Sequence, residues 1–175
     1  LRLEAGTTPD GELELIDLRT DYLNVADVYL AMPWLAPPQR DALRRYAPEG
    51  IFRNLNLSLA DLHTGNPGFA MASEFEQLAF APVDAIPGIR NLSGRLRADR
   101  SGGLADIDAA DVEVLLPELL SIPVPLDEAY GTVIWRQSDS RVTVLSDSIV
   151  LANGDITTDS NVELTFTPDD GPIID

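Results

Sequence analysis

The chain has 175 residues, 45% of them hydrophobic, enough for one domain with a core and too apolar for intrinsic disorder. Its formal net charge of −17 repels phosphate backbones and anionic bilayer surfaces, which argues against nucleic-acid binding. Cysteine is absent, which removes disulfides, thiolate metal sites and Cys nucleophiles together, and all 12 cations are Arg.

In chain order, the first informative segment is Leu23 to Ala36 (LNVADVYLAMPWLA), because it returns as Ile107 to Leu120 (IDAADVEVLLPELL). Aligned, the two share Ala26/Ala110, Asp27/Asp111, Val28/Val112, Pro33/Pro117 and Leu35/Leu119. The echo resumes with a small gap where Gly50-Ile-Phe matches Gly131-Thr-Val. Such an internal period suggests repeats that bury their apolar faces only beside one another, and similar conformations for the two copies. Next, Pro37 to Tyr46 (PPQRDALRRY) has a favourable Pro start and apolar Ala42, Leu43 and Tyr46, so a short helix is expected there.

From this point the pattern is β. Leu55, Leu57 and Leu59 alternate with Asn54, Asn56 and Ser58, a period of two that puts the leucines on one sheet face. Phe69, Met71 and Phe75 continue the alternation, which slips to Leu78 and Phe80; a β-bulge near Gln77 would account for the slip. Leu92, Leu96 and Ala98 alternate with Ser93, Arg95 and Arg97, and Ile107 to Leu116 is strand-like. A single turn is expected at Pro117 to Leu120. Further strands are read at Val133 and Trp135, Val142 and Val144, Ile149 and Leu151, and Val162 to Phe166. Turn residues separate them: Thr64 to Gly68, Ser101 to Gly103, Ser138 to Ser140, and Asn153-Gly154. The spacing implies antiparallel hairpins with one apolar and one polar face, and too few helices to cover that sheet. It can close as a sandwich or barrel, or stay open as a trough whose apolar wall is covered by something else.

Catalytic signals are weak. His63 is the lone histidine and sits in a polar turn, and neither G-x-S-x-G nor a phosphate-binding glycine motif occurs. Glu74 and Glu76 share a strand face as a carboxylate pair would, without further support for glycosidase chemistry. Asp106, Asp108 and Asp111 fail the EF-hand pattern, since Ala110 and Pro117 occupy ligand positions. Asp155 and Asp159 read as turn residues, and Arg95, Arg97 and Arg100 as partners for nearby carboxylates or a headgroup. No enzyme, metal or cofactor is expected.

The ordered series Pro87-Gly88-Ile89-Arg90-Asn91-Leu92-Ser93-Gly94, Leu116-Pro117-Glu118-Leu119, Pro125-Leu126-Asp127, Gly131 and Trp135, then Leu151-Ala152-Asn153, resembles the YhdP-like proteins of the AsmA superfamily. The resemblance covers most of the chain. It implies a mainly β fold: a curved, twisted antiparallel sheet, an open β-groove built from repeats of about 80 residues with one or two short helices. On that basis 1–49 would be the tail of one repeat, 50–130 a complete one, and 131–175 the start of another, all in one continuous sheet. The implied setting is an interior, periplasmic section of a protein anchored in the inner membrane outside this fragment. Its implied role is a lipid-transfer bridge shielding phospholipid acyl chains between inner and outer membranes. Candidate lipid contacts are the alternating apolar residues Leu55, Leu57, Leu59, Phe69, Met71, Phe75, Leu96, Val133 and Trp135. The alternative is a closed β-sandwich acting as scaffold or protein-interaction module, with no lipid path. Free strand edges near 1–20 or 150–170 are expected to recruit other chains.

Overall fold

A computed structural model describes residues 1–34, 37–64, 67–83, 86–117, 120, 122–138, 141–154, 156–167 and 171–174. Of the residues and ranges read above, Leu35, Ala36, Gly65, Asn66, Glu118, Leu119, Asp139, Ser140 and Asp155 lie outside these. Ten strands form one sheet: β1 Arg2–Thr7, β2 Leu13–Asn24, β3 Glu49–Ala60, β4 Gly68–Phe80, β5 Gly88–Asp99, β6 Gly102–Leu115, β7 Val124–Ser138, β8 Arg141–Asn153, β9 Ile156–Thr167 and β10 Gly171–Ile174. They lie in chain order, each antiparallel to the next. The helix α1 spans Pro37–Tyr46, the range its Pro start and spacing indicate. Leu120 N–H donates to Leu116 C=O at 2.8 Å, closing the single turn expected there.

The sheet bends through bulges, and polar side chains tie them down. Asn54, Gln77, Asn91 and Asp111 hold positive φ of 50, 52, 62 and 53°, one in each strand from β3 to β6. Gln77 sits where the β4–β5 register shifts between Phe75 and Leu78, at the place the broken alternation marks. A bulge unpairs main-chain groups and increases twist. Here the Ser73 hydroxyl donates to Arg53 C=O at 2.7 Å, and the Asn91 amide to Ala110 and Asp111 C=O at 3.0 and 3.1 Å. Gln77 N–H donates to Ser93 Oγ, and Ser146 Oγ to Thr132 C=O. Ser73 and Ser146 are thus buried without an unmet hydrogen bond.

The sandwich does not form. Every strand pairs only with its chain neighbours, β1 is not joined to β10, and the described strands form no second sheet; the 3-10 segments Val25–Trp34 and Leu62–Thr64 touch β2 and β3. A compact chain of 19.0 kDa exposes about 8,400 Å²; this one exposes 11499 Å², over a third more. Few described side chains are fully buried, among them Leu55 and Phe75 at 3% exposure and Val112 at 1%.

The two matching segments do not share a conformation, contrary to the sequence expectation. Ile107 to Leu115 runs within β6, whereas Val25–Trp34 is a 3-10 segment following the last two residues of β2. Asn24 Oδ1 accepts the Ala26 N–H at 3.0 Å and caps the helical turn. Its counterpart Asp108 instead lies opposite Tyr130 of β7, so a partner strand holds that copy extended. Val142 to Leu151, read as two strands, is the single strand β8 with a register shift between Ser146 and Ile149.

Candidate binding face

Register assigns each residue to a face, because directly opposed residues share one and alternate residues along a strand return to it. Starting from the edge, Leu3 opposes Leu18, which opposes Leu57, then Met71, Ala98, Gly103, Trp135, Val144 and Leu164. This row crosses nine strands without a polar side chain. At about 4.8 Å per strand it is roughly 38 Å long. A second row on the same face runs Ser73, Leu96, Ala105, Val133, and a third runs Phe52, Phe75, Gly94, Ile107, Gly131, Ile149. Leu59 opposes Phe69 on one side and Ile16 on the other, and Leu55 opposes Thr20.

All nine candidate residues therefore lie on one face: Leu55, Leu57, Leu59, Phe69, Met71, Phe75, Leu96, Val133 and Trp135. Leu55 and Phe75 are buried among their neighbours, Phe69 is 41% exposed, and the other six are half-buried. The sequence reading overlooked Leu3, Ile16 and Leu18, which extend the face to the edge. Their alternation with Glu4, Asp17 and Arg19 was an available signal.

The opposite face is mixed. One of its rows reads Asp17, Ser58, Ala70, Asp99, Gly102, Arg136, Thr143, and the next Arg19, Asn56, Ala72, Arg97, Leu104, Ile134, Leu145. Two open hollows of about 420 and 430 Å³ occur there, where the small Ala70 and Ala72 sit among long side chains such as Arg97. Glu74 and Glu76 are each spoken for: Arg53 Nε lies 3.1 Å from Glu76 and Arg95 Nε 3.9 Å from Glu74. Asp106 accepts from the Thr132 hydroxyl. His63 is exposed in the short 3-10 turn Leu62–Thr64. Among the described residues no group of three His, Asp or Glu could hold a metal ion. At the β5–β6 turn, Asp99 accepts from the Ser101 hydroxyl and then its backbone N–H, at 2.6 and 2.7 Å, which holds its carboxyl below the usual range.

Several of the described motif residues have structural roles. Asn91 and Ser93 brace bulges, and Gly94 lies under the Phe75 ring, whose Cζ would sit 2.9 Å from an added Cβ. Asn153 Nδ2 donates to Pro125 C=O at 2.7 Å, and Gly154 N–H donates to the Asp127 carboxylate, pinning the β8–β9 turn beside β7. These contacts shape the sheet that carries the apolar face.

Among known proteins, the model of the family described as YhdP protein matches residues 1–175. No curated protein and no solved structure matches the chain. No helix among the described residues is long and apolar enough to cross a membrane.

Proposed function

Because the chain belongs to the YhdP protein family, an AsmA-like family of the cell envelope, we propose that it forms part of a periplasmic path for phospholipid acyl chains between the inner and outer membranes. The observation that carries this reading is the uncovered apolar row across nine strands. A soluble protein does not leave so large an apolar surface in water without an occupant. The row's roughly 38 Å exceeds the whole hydrocarbon core of a bilayer, about 30 Å. A single-leaflet acyl chain therefore fits along it with length to spare.

Transfer energetics explain why a long open face serves better than a pocket. Each methylene kept from water is worth roughly 0.8 kcal/mol, so about fifteen of them exposed in transit would cost about 12 kcal/mol. One apolar face covers about half of a chain's surface and so removes about half of that cost. Repeating similar side chains leaves the lipid nearly isoenergetic from strand to strand, while its headgroup stays hydrated at the rim. On this reading the parent protein is anchored in the inner membrane by segments outside these residues.

Native mass spectrometry of the chain purified from envelope extract is the direct test. Phospholipid adducts that disappear when Leu57 and Met71 are both changed to Asp support the lipid path. A chain free of lipid, and binding no fatty acid at micromolar concentration, favours a protein-interaction role for the same face.

A further inference from the structure

One residue on the apolar face sits differently from the rest. Along the row through Leu57 and Met71, the side chains shrink to Ala98 and Gly103 on β5 and β6, then grow again at Trp135, Val144 and Leu164. Left to themselves, Ala98 and Gly103 would make a pit about two strand spacings wide, near 10 Å. The pit is filled from the side. A Cβ placed on Gly103 would collide with the Trp135 indole at Cζ2 and, at 2.6 Å, at Cη2, so the six-membered edge of the indole covers Gly103. Phe75 does the same over Gly94 in the row four residues along, but it is buried at 3% exposure. Trp135 keeps part of its surface open.

We propose that Trp135 is a positioning residue that levels the acyl track: an acyl chain passes over the indole instead of dropping into the pit above Gly103 and Ala98. This rests on the lipid-path reading and adds a determinant of transit rate to it. A track works by having no deep well, and each extra methylene seated in a pit would hold the chain about fourfold longer. Gly103 belongs to the same device, since any larger residue there forces the indole up into the path or off the sheet.

The test uses the chain carrying Trp34→Phe, which leaves Trp135 as its one tryptophan, with dibromostearate as a quenching acyl probe. Binding is measured independently by equilibrium dialysis, and probe dissociation by stopped-flow transfer to vesicles. The expected result is saturable binding that quenches Trp135 fluorescence. In Trp135→Ala, binding persists and dissociation slows by about fourfold or more; Trp135→Phe, which restores a ring, returns it toward the original rate. Binding without quenching overturns the inference and leaves the lipid path standing. Faster dissociation in Trp135→Ala also overturns it, because that marks an ordinary lost contact. Absence of probe binding in every variant overturns the lipid path itself, and this inference with it.

Discussion

Leu57→Asp separates an open apolar face from a covered one. Leu57 is half-buried on β3, opposite Leu18 and Met71 and flanked by Leu55 and Leu59. Fully burying a leucine is worth about 1.5–3 kcal/mol, so a half-buried one forfeits about 1 kcal/mol when removed. Replacing a strand-compatible side chain with Asp adds up to about 1 kcal/mol. The carboxylate faces water on the open side, so no large desolvation cost follows. The sum, about 2 kcal/mol, lowers the melting temperature of a chain this size by about 4–8 °C. Val112→Asp is the contrast: at 1% exposure it buries an unpaired charge, and the loss is expected to abolish a cooperative transition. The assay is thermal denaturation of both variants and Leu57→Ala by circular dichroism, beside fatty-acid binding. Leu57→Asp should melt cooperatively and lose binding, with Leu57→Ala close to wild type in binding. A collapse of Leu57→Asp equal to that of Val112→Asp would refute the reasoning, since it would place Leu57 under a covering layer.

The bulge braces supply further tests. Asn91 holds φ +62° and donates to two carbonyls, so Asn91→Ala should cost about 2 kcal/mol in urea unfolding, and Asn91→Gly about 1 kcal/mol less because glycine tolerates that backbone. Ser73→Ala strands the Arg53 carbonyl in a buried setting and should cost about 1–3 kcal/mol, whereas Ser58→Ala, on the mixed face, should cost under about 0.5 kcal/mol. The Asp99 carboxyl is held below the ordinary value of about 3.9 by Ser101. Its contribution to the β5–β6 turn is present above that value and lost as pH falls through the depressed one. NMR titration should show Ser101→Ala raising the Asp99 pKa. β10 pairs only with Leu164 to Thr167, leaving Ile156 to Glu163 of β9 without a described outer partner. Sedimentation should therefore show association rising with concentration and weakened by Val162→Lys; a monomer at every concentration contradicts this.

Several of these features were legible in local sequence. Alternation of apolar and polar residues follows from Cβ geometry along a strand, and it placed Leu55, Leu57, Leu59, Phe69, Met71 and Phe75 on one face. The break at Gln77 marked a bulge for the same reason: one extra residue flips the phase. The Pro start and the Ala42, Leu43, Tyr46 spacing located α1 to the residue. The mid-chain motif PGIRNLSG was visible as a signature, but its purpose was not, since Asn91 and Ser93 act on carbonyl and amide groups of other strands.

Sequence alone thus determined the strands from β3 to β7 and which side of β3 and β4 is apolar, because those depend on near neighbours in the chain. Tertiary structure decided the rest. Leu23 to Ala36 and Ile107 to Leu120 share residues, yet Ile107 to Leu115 has β7 beside it and is extended, whereas Val25–Trp34 is a 3-10 segment. An alternating pattern is the same for a sandwich and an open sheet; the choice rests on whether the two edges or two layers meet, and here they do not. Likewise the nine-strand apolar row exists only through register, where each bulge could have slid its strand by one residue and turned its leucines to the other face.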